Sequence, residues 1–117
     1  MANRVPEADA VFRDILASYA GSPAIEPKRM FGSDALCVDG KIACFVNGSG
    51  RLVAKLPEST TERLTRVGLA EPVALGGRRP MRGWFSVPLS EDVDWFALAD
   101  EAVEHVHALE ADKDEQG

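Results

Sequence analysis

The stretch that decides the fold runs from residue 35 to residue 46 and reads Ala-Leu-Cys-Val-Asp-Gly-Lys-Ile-Ala-Cys-Phe-Val. Two apolar runs flank Asp39-Gly40, and an Asp-Gly pair in this position is a strong signal for a two-residue β-hairpin turn. We expect the first strand to cover about 29–38 and the second about 41–47. A second turn, Asn-Gly-Ser-Gly at 47–50, leads into a third strand at 51–56.

Both faces of this hairpin are apolar. Regular alternation divides its side chains into two sets, which are Ala35, Cys37, Ile42, Cys44 and Val46 on one face and Leu36, Val38, Ala43 and Phe45 on the other. A sheet that is covered on one side only alternates apolar with polar residues. We therefore expect something to cover the second face. A homodimer or a protein partner would do so, and so would a curled sheet with both layers inside one monomer.

The chain has two cysteines, Cys37 and Cys44, which are too few for a disulfide framework. If Asp39-Gly40 is the central turn pair, they are diagonal neighbours and too far apart for a relaxed disulfide. If the turn pair is Gly40-Lys41, they stand directly opposite each other. The sequence leaves both registers open, and we expect two reduced thiols in the core.

Apolar residues at helical spacing predict three helices, at about 7–20, 58–67 and 91–110. Two further strands are expected at about 69–75 and 81–87, joined by the loop Gly-Gly-Arg-Arg-Pro.

The predicted helices carry start and stop signals. Gly21 and Gly68 are suitable stops for the first two helices. Ser90 is the expected N-cap of the third, and acidic residues follow it in what would be the first turn, where the helix dipole favours them.

The predicted element order is α-β-β-β-α-β-β-α. Hairpin-linked strands with helices between and after them favour a two-layer α+β fold, in which an antiparallel five-stranded sheet has helices packed on one face. The sequence shows no internal repeat and no linker. We therefore expect one domain over residues 1–110 and an acidic disordered tail at 111–117.

The composition is that of an ordinary globular chain. It has 117 residues, 45% of them hydrophobic and 27% charged, with a formal net charge of −6. No apolar run approaches the roughly 18 residues of a membrane span, and no signal peptide is visible. We expect a cytoplasmic protein.

Charge is segregated along the chain. Residues 28–82 hold ten of the thirteen basic residues and only five of the nineteen acidic ones. The acidic total argues against indiscriminate binding to nucleic acid, which requires positive charge, while the basic centre keeps a local basic patch possible.

No arrangement of side chains points to catalysis or to a bound metal. His105 and His107 are two residues apart on a predicted helix, point to opposite sides and have no partners at ligand spacing. The cysteines have no nearby His, and no serine lies in a Gly-x-Ser-x-Gly motif. We expect a protein that is not an enzyme and has no cofactor or metal.

The best functional candidate is a basic and aromatic surface on the sheet. If Leu52 and Met81 face the helices, alternation places neighbouring basic residues and a tryptophan on the opposite face. The candidate interaction residues are Lys28, Arg29, Arg51, Lys55, Arg78, Arg79, Arg82 and Trp84. Arg and Trp are frequent anchors of protein interfaces, and the same pair can stack on bases and hold phosphates. The plainer alternative is that Trp84 belongs to the core and the arginines pair with acidic helices.

Four segments together resemble the N-terminal domain of the TfoX/Sxy competence regulators. They are Lys28-Arg29-Met30-Phe31-Gly32, Val38-Asp39-Gly40-Lys41, Lys55-Leu56-Pro57-Glu58, and Arg79-Pro80-Met81-Arg82-Gly83-Trp84 leading into Val87-Pro88. The resemblance covers about residues 8–110. It implies a two-layer α+β fold in which three strands, a helix, two strands and a helix follow the first helix, similar to the dimeric type III secretion chaperones.

Full-length members of this family regulate natural competence and carry a second, helical C-terminal domain. We expect the present chain to be a stand-alone version without that domain. The resulting hypothesis is a small non-catalytic interaction module, a transcription or competence-type regulator that acts through protein–protein contacts, with a homodimer or another protein as partner. The alternative is direct nucleic-acid binding through Arg51, Lys55, Arg78, Arg79, Arg82 and Trp84.

Overall fold

The computed structural model describes residues 6–30, 33–73 and 83–116, and of residues 29, 30, 33 and 112–116 it describes the backbone only. Within these residues the chain forms three helices and one antiparallel sheet of six strands. The helices are α1 (Pro6–Ser18), α2 (Glu58–Arg66) and α3 (Trp95–Gln116). The strands are β1 (Ile25–Met30), β2 (Ser33–Val38), β3 (Lys41–Val46), β4 (Leu52–Lys55), β5 (Glu71–Pro72) and β6 (Trp84–Val87).

The strands lie side by side in the order β1-β2-β3-β4-β6-β5. The predicted α+β class with an antiparallel sheet is therefore confirmed, but the sheet has six strands and the expected number of five is wrong. The extra strand comes from the N-terminal part of the sheet. What was expected as one strand at 29–38 is a pair, β1 and β2, in which Ile25 pairs with Val38 and Met30 with Ser33. A glycine weakens the interior of a strand, so Gly32 was a signal against one continuous strand.

The hairpin between β2 and β3 turns at Asp39-Gly40, with φ of 53° and 81° at these residues. Positive φ at both central positions is typical of the type I′ turn, whose twist matches that of the flanking strands. Val38 pairs with Lys41 and Cys37 with Ile42, so the first of the two open registers is the one the chain adopts.

A β-bulge then shifts the register of this hairpin. Leu36 pairs with Cys44 where regular pairing would give it Ala43, which leaves Ala43 as the extra residue on β3. Both Ala43 and Cys44 consequently join the core with Leu36 and Val38. The expected division of β3 between the two faces holds at Ala43 and is wrong from Cys44 onward.

All three helices contribute to a single core on one face of the sheet. α3 lies across β2, β3 and β4, and α1 packs against β3. Leu36, Leu52 and Leu56 are almost completely buried there, together with Ile15 of α1 and Leu64 of α2. Removing this much apolar surface from water is the main favourable contribution to folding.

α2 ends one residue earlier than expected and stops as predicted at Gly68, which has a φ of 77°. The backbone N–H of Leu69 donates to the carbonyl of Leu64 and that of Gly68 to Thr65, so the last turn is closed by a glycine C-cap. α1 ends at Ser18, two residues before the expected end, and Gly21 with a φ of 83° follows it.

The expected N-cap of α3 is wrong. Asp94 takes this position, because its Oδ1 accepts the N–H of Phe96 at 3.0 Å and that of Ala97 at 3.3 Å. The Ser90 hydroxyl instead accepts the N–H of Asp92 within the preceding turn. Asp has a short acceptor side chain like that of Ser, and Asp94 stands directly before the first helical residue, Trp95.

The remaining boundaries concern the two ends of the last hairpin and the C-terminus. β5 is shorter than the expected 69–75, β6 begins at Trp84, and residues 74–82 lie outside the described part of the chain. The backbone of α3 is helical to Gln116, beyond the predicted end at residue 110. The division into a domain at 1–110 and a disordered tail stays a prediction.

Candidate interaction surface

The face of the sheet that points away from the helices is called the second face below. One row of cross-strand neighbours runs over all six strands on this side, from Lys28 through Ala35, Phe45, Val53 and Ser86 to Glu71. None of the apolar members belongs to the core beneath the helices. The row is charged at its two ends and apolar in its middle.

The middle of the second face is buried within the single chain. Ala35 and Val53 are each 1% exposed, Cys37 is 0% exposed, and Trp84 is 8% exposed. The sequence left open whether a partner or the chain itself covers the second face. At these four positions the chain itself is sufficient. Phe45 and Ile42 on the same face are half-buried, so the argument for a partner is weakened at this face and rests on these two side chains.

Arg51 is held by neighbouring strands. Its Nε donates to the Ser86 hydroxyl at 2.9 Å, and its Nη2 donates to the Ser86 carbonyl at 3.2 Å and lies 3.1 Å from a Glu71 carboxylate oxygen. The guanidinium thus joins β6 and β5 to the start of β4. An arginine engaged in this way has few donors left for a phosphate or a partner.

Lys55 and Trp84 form a direct cross-strand pair between β4 and β6. Trp84 is buried and Lys55 half-buried, and the Lys55 methylenes pass over Gly83, which has a φ of 86°. Leu52 points into the core, so the alternation expected for these strands holds where it is described. Trp84 offers little surface on which a base could stack.

Among the described residues, the other candidates do not cluster with Lys55 and Trp84. Lys28 is exposed on β1, three strands away from β4, and its ammonium lies 3.9 Å from Glu26. Arg29 belongs to β1, but its side chain is not described, and Arg78, Arg79 and Arg82 lie outside the described residues. The structure therefore brings together Arg51, Lys55 and Trp84, and their role as an interaction site stays a prediction.

The two cysteines lie on opposite faces of the sheet. Cys44 belongs to the core beneath the helices, whereas Cys37 is buried on the second face. Both are free thiols, and burial raises the pKa of each above its ordinary value. A raised pKa leaves little of the nucleophilic thiolate at neutral pH.

Both histidines lie on α3 and have different surroundings. His107 Nδ1 is 2.6 Å from Asp39 Oδ2, which ties the helix to the β2–β3 turn. His105 is half-buried, and burial together with the nearby charge of Lys55 lowers its pKa. Within the described residues no group of three or more His, Cys, Asp or Glu side chains could hold a metal ion.

Sequence reasoning missed the polar contacts that join the helices to one another. The Tyr19 hydroxyl on the C-terminal side of α1 donates to Asp100 of α3, and the Thr60 hydroxyl of α2 donates to Glu101 of α3. Burial and Asp100 raise the pKa of Tyr19. No local motif marks such pairs, since their members are 81 and 41 residues apart.

These features define a class of protein. It is a small α+β domain with helices on one face of an antiparallel sheet, and several of its described polar side chains join its own elements. A family model described as the TfoX N-terminal domain matches residues 15–111, and the chain belongs to this family. No curated protein and no solved structure matches the chain. Among the described residues, no helix is long and apolar enough to cross a membrane.

Proposed function

We propose that the protein is a small non-catalytic interaction module of competence-type regulation that works in the cytoplasm through contacts with another protein. Its membership of the TfoX N-terminal domain family is the observation that carries this proposal. Family membership suggests a regulator domain related to competence. That the module binds a protein is inferred from the contacts of its described side chains.

Four of the described side chains that could act as a nucleophile or a general base are buried or contact another residue of the fold. Both thiols are buried, His107 contacts Asp39, and Tyr19 contacts Asp100. A general base or nucleophile has to reach a substrate from a cleft. This supports an interaction module over an enzyme.

Direct nucleic-acid binding receives less support than a protein partner. Trp84 is buried, and Arg51 is engaged with Ser86 and Glu71. Single-stranded nucleic acid is usually held by exposed aromatic rings and free cations in a groove. The alternative of direct nucleic-acid binding therefore depends mainly on the arginines at 78, 79 and 82.

The homodimer that we expected has less support than it had from the sequence, because Ala35, Cys37 and Val53 on the apolar second face are covered in one chain. We therefore propose a different protein as the partner. A tagged copy of the protein should be cross-linked in cells that express it, purified with and without nuclease treatment, and its companions identified by mass spectrometry. The tag alone is the control.

The proposal expects a specific protein in near-stoichiometric amount, recovered equally after nuclease treatment. Recovery of the protein's companions only when nucleic acid is intact would favour the alternative. Recovery of the tagged chain cross-linked only to itself would restore the homodimer.

A further inference from the structure

Large apolar side chains are exposed at three described positions, Val67, Leu89 and Phe96. Single exposed apolar residues are common on protein surfaces and need no explanation. Leu89 and Phe96 differ from Val67 in that Leu89 lies in the connection between β6 and α3, and Phe96 lies in the first turn of α3 that follows it. Their side chains are 39% and 42% exposed.

This connection is fixed by hydrogen bonds. The buried Trp95 donates its indole N–H to the Pro88 carbonyl at 3.0 Å, which brings the two ends of the loop together. Leu89 and Phe96 are the next residues after these two and lie at the same end of the molecule. Asp94 caps the first turn of α3 through the N–H of Phe96. The two apolar residues are thus presented from ordered backbone, which keeps the entropic cost of binding low.

The chain segment that holds the two residues carries one sign of charge. Residues 83–112 contain no Lys or Arg and eight Asp or Glu. Glu91, Asp92 and Asp94 lie between Leu89 and Phe96 in the chain and are all exposed. These five residues are called the α3 entry patch. It combines a small apolar centre with an acidic rim.

We propose that the α3 entry patch binds a cationic amphipathic helix of the partner protein, a proposal that rests on the proposed function. Apolar side chains of such a helix would cover Leu89 and Phe96, while its Lys or Arg residues would face the acidic rim. Nucleic acid would be repelled by the same rim. A second copy does not fit either, because an isologous contact would place the acidic patch against itself.

The test uses a fluorescent synthetic peptide of Leu and Lys at helical spacing, about four turns long, in an anisotropy titration with the whole chain. Two matched peptides replace Lys by Glu or Leu by Ser. We expect the Leu/Lys peptide to bind, the Leu/Glu peptide not to bind, and the Ser/Lys peptide to bind at least about tenfold more weakly.

Variants then locate the site. Leu89→Ser with Phe96→Ser should weaken binding of the Leu/Lys peptide about tenfold or more, while Val67→Ser leaves it unchanged. Glu91→Lys with Asp92→Lys should weaken it as well, whereas the same change at the exposed Asp14 and Glu62 should have little effect. Far-ultraviolet circular dichroism checks that each variant is folded.

The proposal is overturned if the wild type does not bind the Leu/Lys peptide. It is also overturned if the control variants at Val67 and at Asp14 with Glu62 weaken binding as much as the variants of the α3 entry patch do. A wild-type dimer in sedimentation that becomes a monomer on Leu89→Ser with Phe96→Ser would assign the patch to a second copy and overturn it too. The proposed function would survive these results if cross-linking in cells still recovers a partner protein.

Discussion

Cys37 and Cys44 are separated by the sheet itself, since one side chain points into the core beneath the helices and the other lies on the second face. The sequence predicted correctly that the two thiols are reduced and internal. It left the turn register open and gave no sign of the bulge at Ala43 that moves Cys44 to the helix side. Because a bulge depends on how two strands pair, the alternation of side chains along one strand does not reveal it.

Thiol chemistry checks this arrangement. We expect no thiol to react with Ellman's reagent within minutes in the native protein and both to react after unfolding in urea, because burial excludes the reagent and raises the pKa of Cys37 and Cys44. Cys37→Ser serves as the control and should leave one thiol in urea. A native thiol that reacts at once would contradict the burial of that residue.

His105 illustrates a local effect that sequence reasoning did not predict, because Lys55 is 50 residues away in the chain. Burial and the Lys55 charge favour the neutral imidazole, so we expect NMR titration to give His105 a pKa below 6.5. Lys55→Met should raise the pKa of His105 towards 6.5. Lys41→Met removes an equal charge from the exposed hairpin turn and should leave it unchanged.

The sign of the resulting pH effect follows from the lowered pKa. Below pH 6.5 the unfolded chain takes up the His105 proton more readily than the folded one. The contribution of neutral His105 to stability is therefore complete above this pH and decreases as the pH falls towards the folded pKa. A folded-state pKa at or above 6.5 would refute this account.

At the scale of elements, the strongest local signals predicted the structure best. The Asp39-Gly40 turn and the Gly68 stop occur where the sequence put them. The division of the first strand into β1 and β2 was missed, because the basic and apolar residues of 25–30 read equally well as a loop followed by a longer strand.

The hairpin turn allows a clean comparison of two glycines. Gly40→Ala places a Cβ in open space but at a φ of 81°, and we expect a loss of about 1 kcal/mol in the free energy of unfolding. Gly48→Ala also meets nothing within 4 Å, and its φ is not positive, so it should stay within about 0.5 kcal/mol. Equal losses in urea unfolding would mean that the turn conformation is not the cause.

The start of α3 gives a second test by urea unfolding. Asp94→Ala removes the acceptor for two backbone N–H groups and should cost about 1 kcal/mol. Ser90→Ala removes an exposed hydrogen bond in the preceding turn and should cost clearly less. A larger loss for Ser90→Ala would restore Ser90 as the cap that the sequence favoured.

At the scale of the whole molecule, composition and element order predicted the α+β class, and the family match agrees with the resemblance read from four short segments. The candidate site was much less predictable. Alternation placed Arg51, Lys55 and Trp84 on the same side of the sheet, but it could not show that Trp84 is buried or that Arg51 binds Ser86 and Glu71. Those facts depend on which strands become neighbours.

The central claim is that this domain binds a protein and not nucleic acid. Its most direct test is a fluorescence-anisotropy titration of labelled duplex DNA with the whole chain, at about 50 mM and about 150 mM salt. The account predicts no saturation up to about 10 μM protein at either salt concentration. The contradicting result is tight binding at low salt that falls steeply at the higher one. Such binding would be assigned to the basic residues at 78–82 if Arg79→Glu with Arg82→Glu abolishes it, while Arg13→Glu with Arg66→Glu on the helices does not.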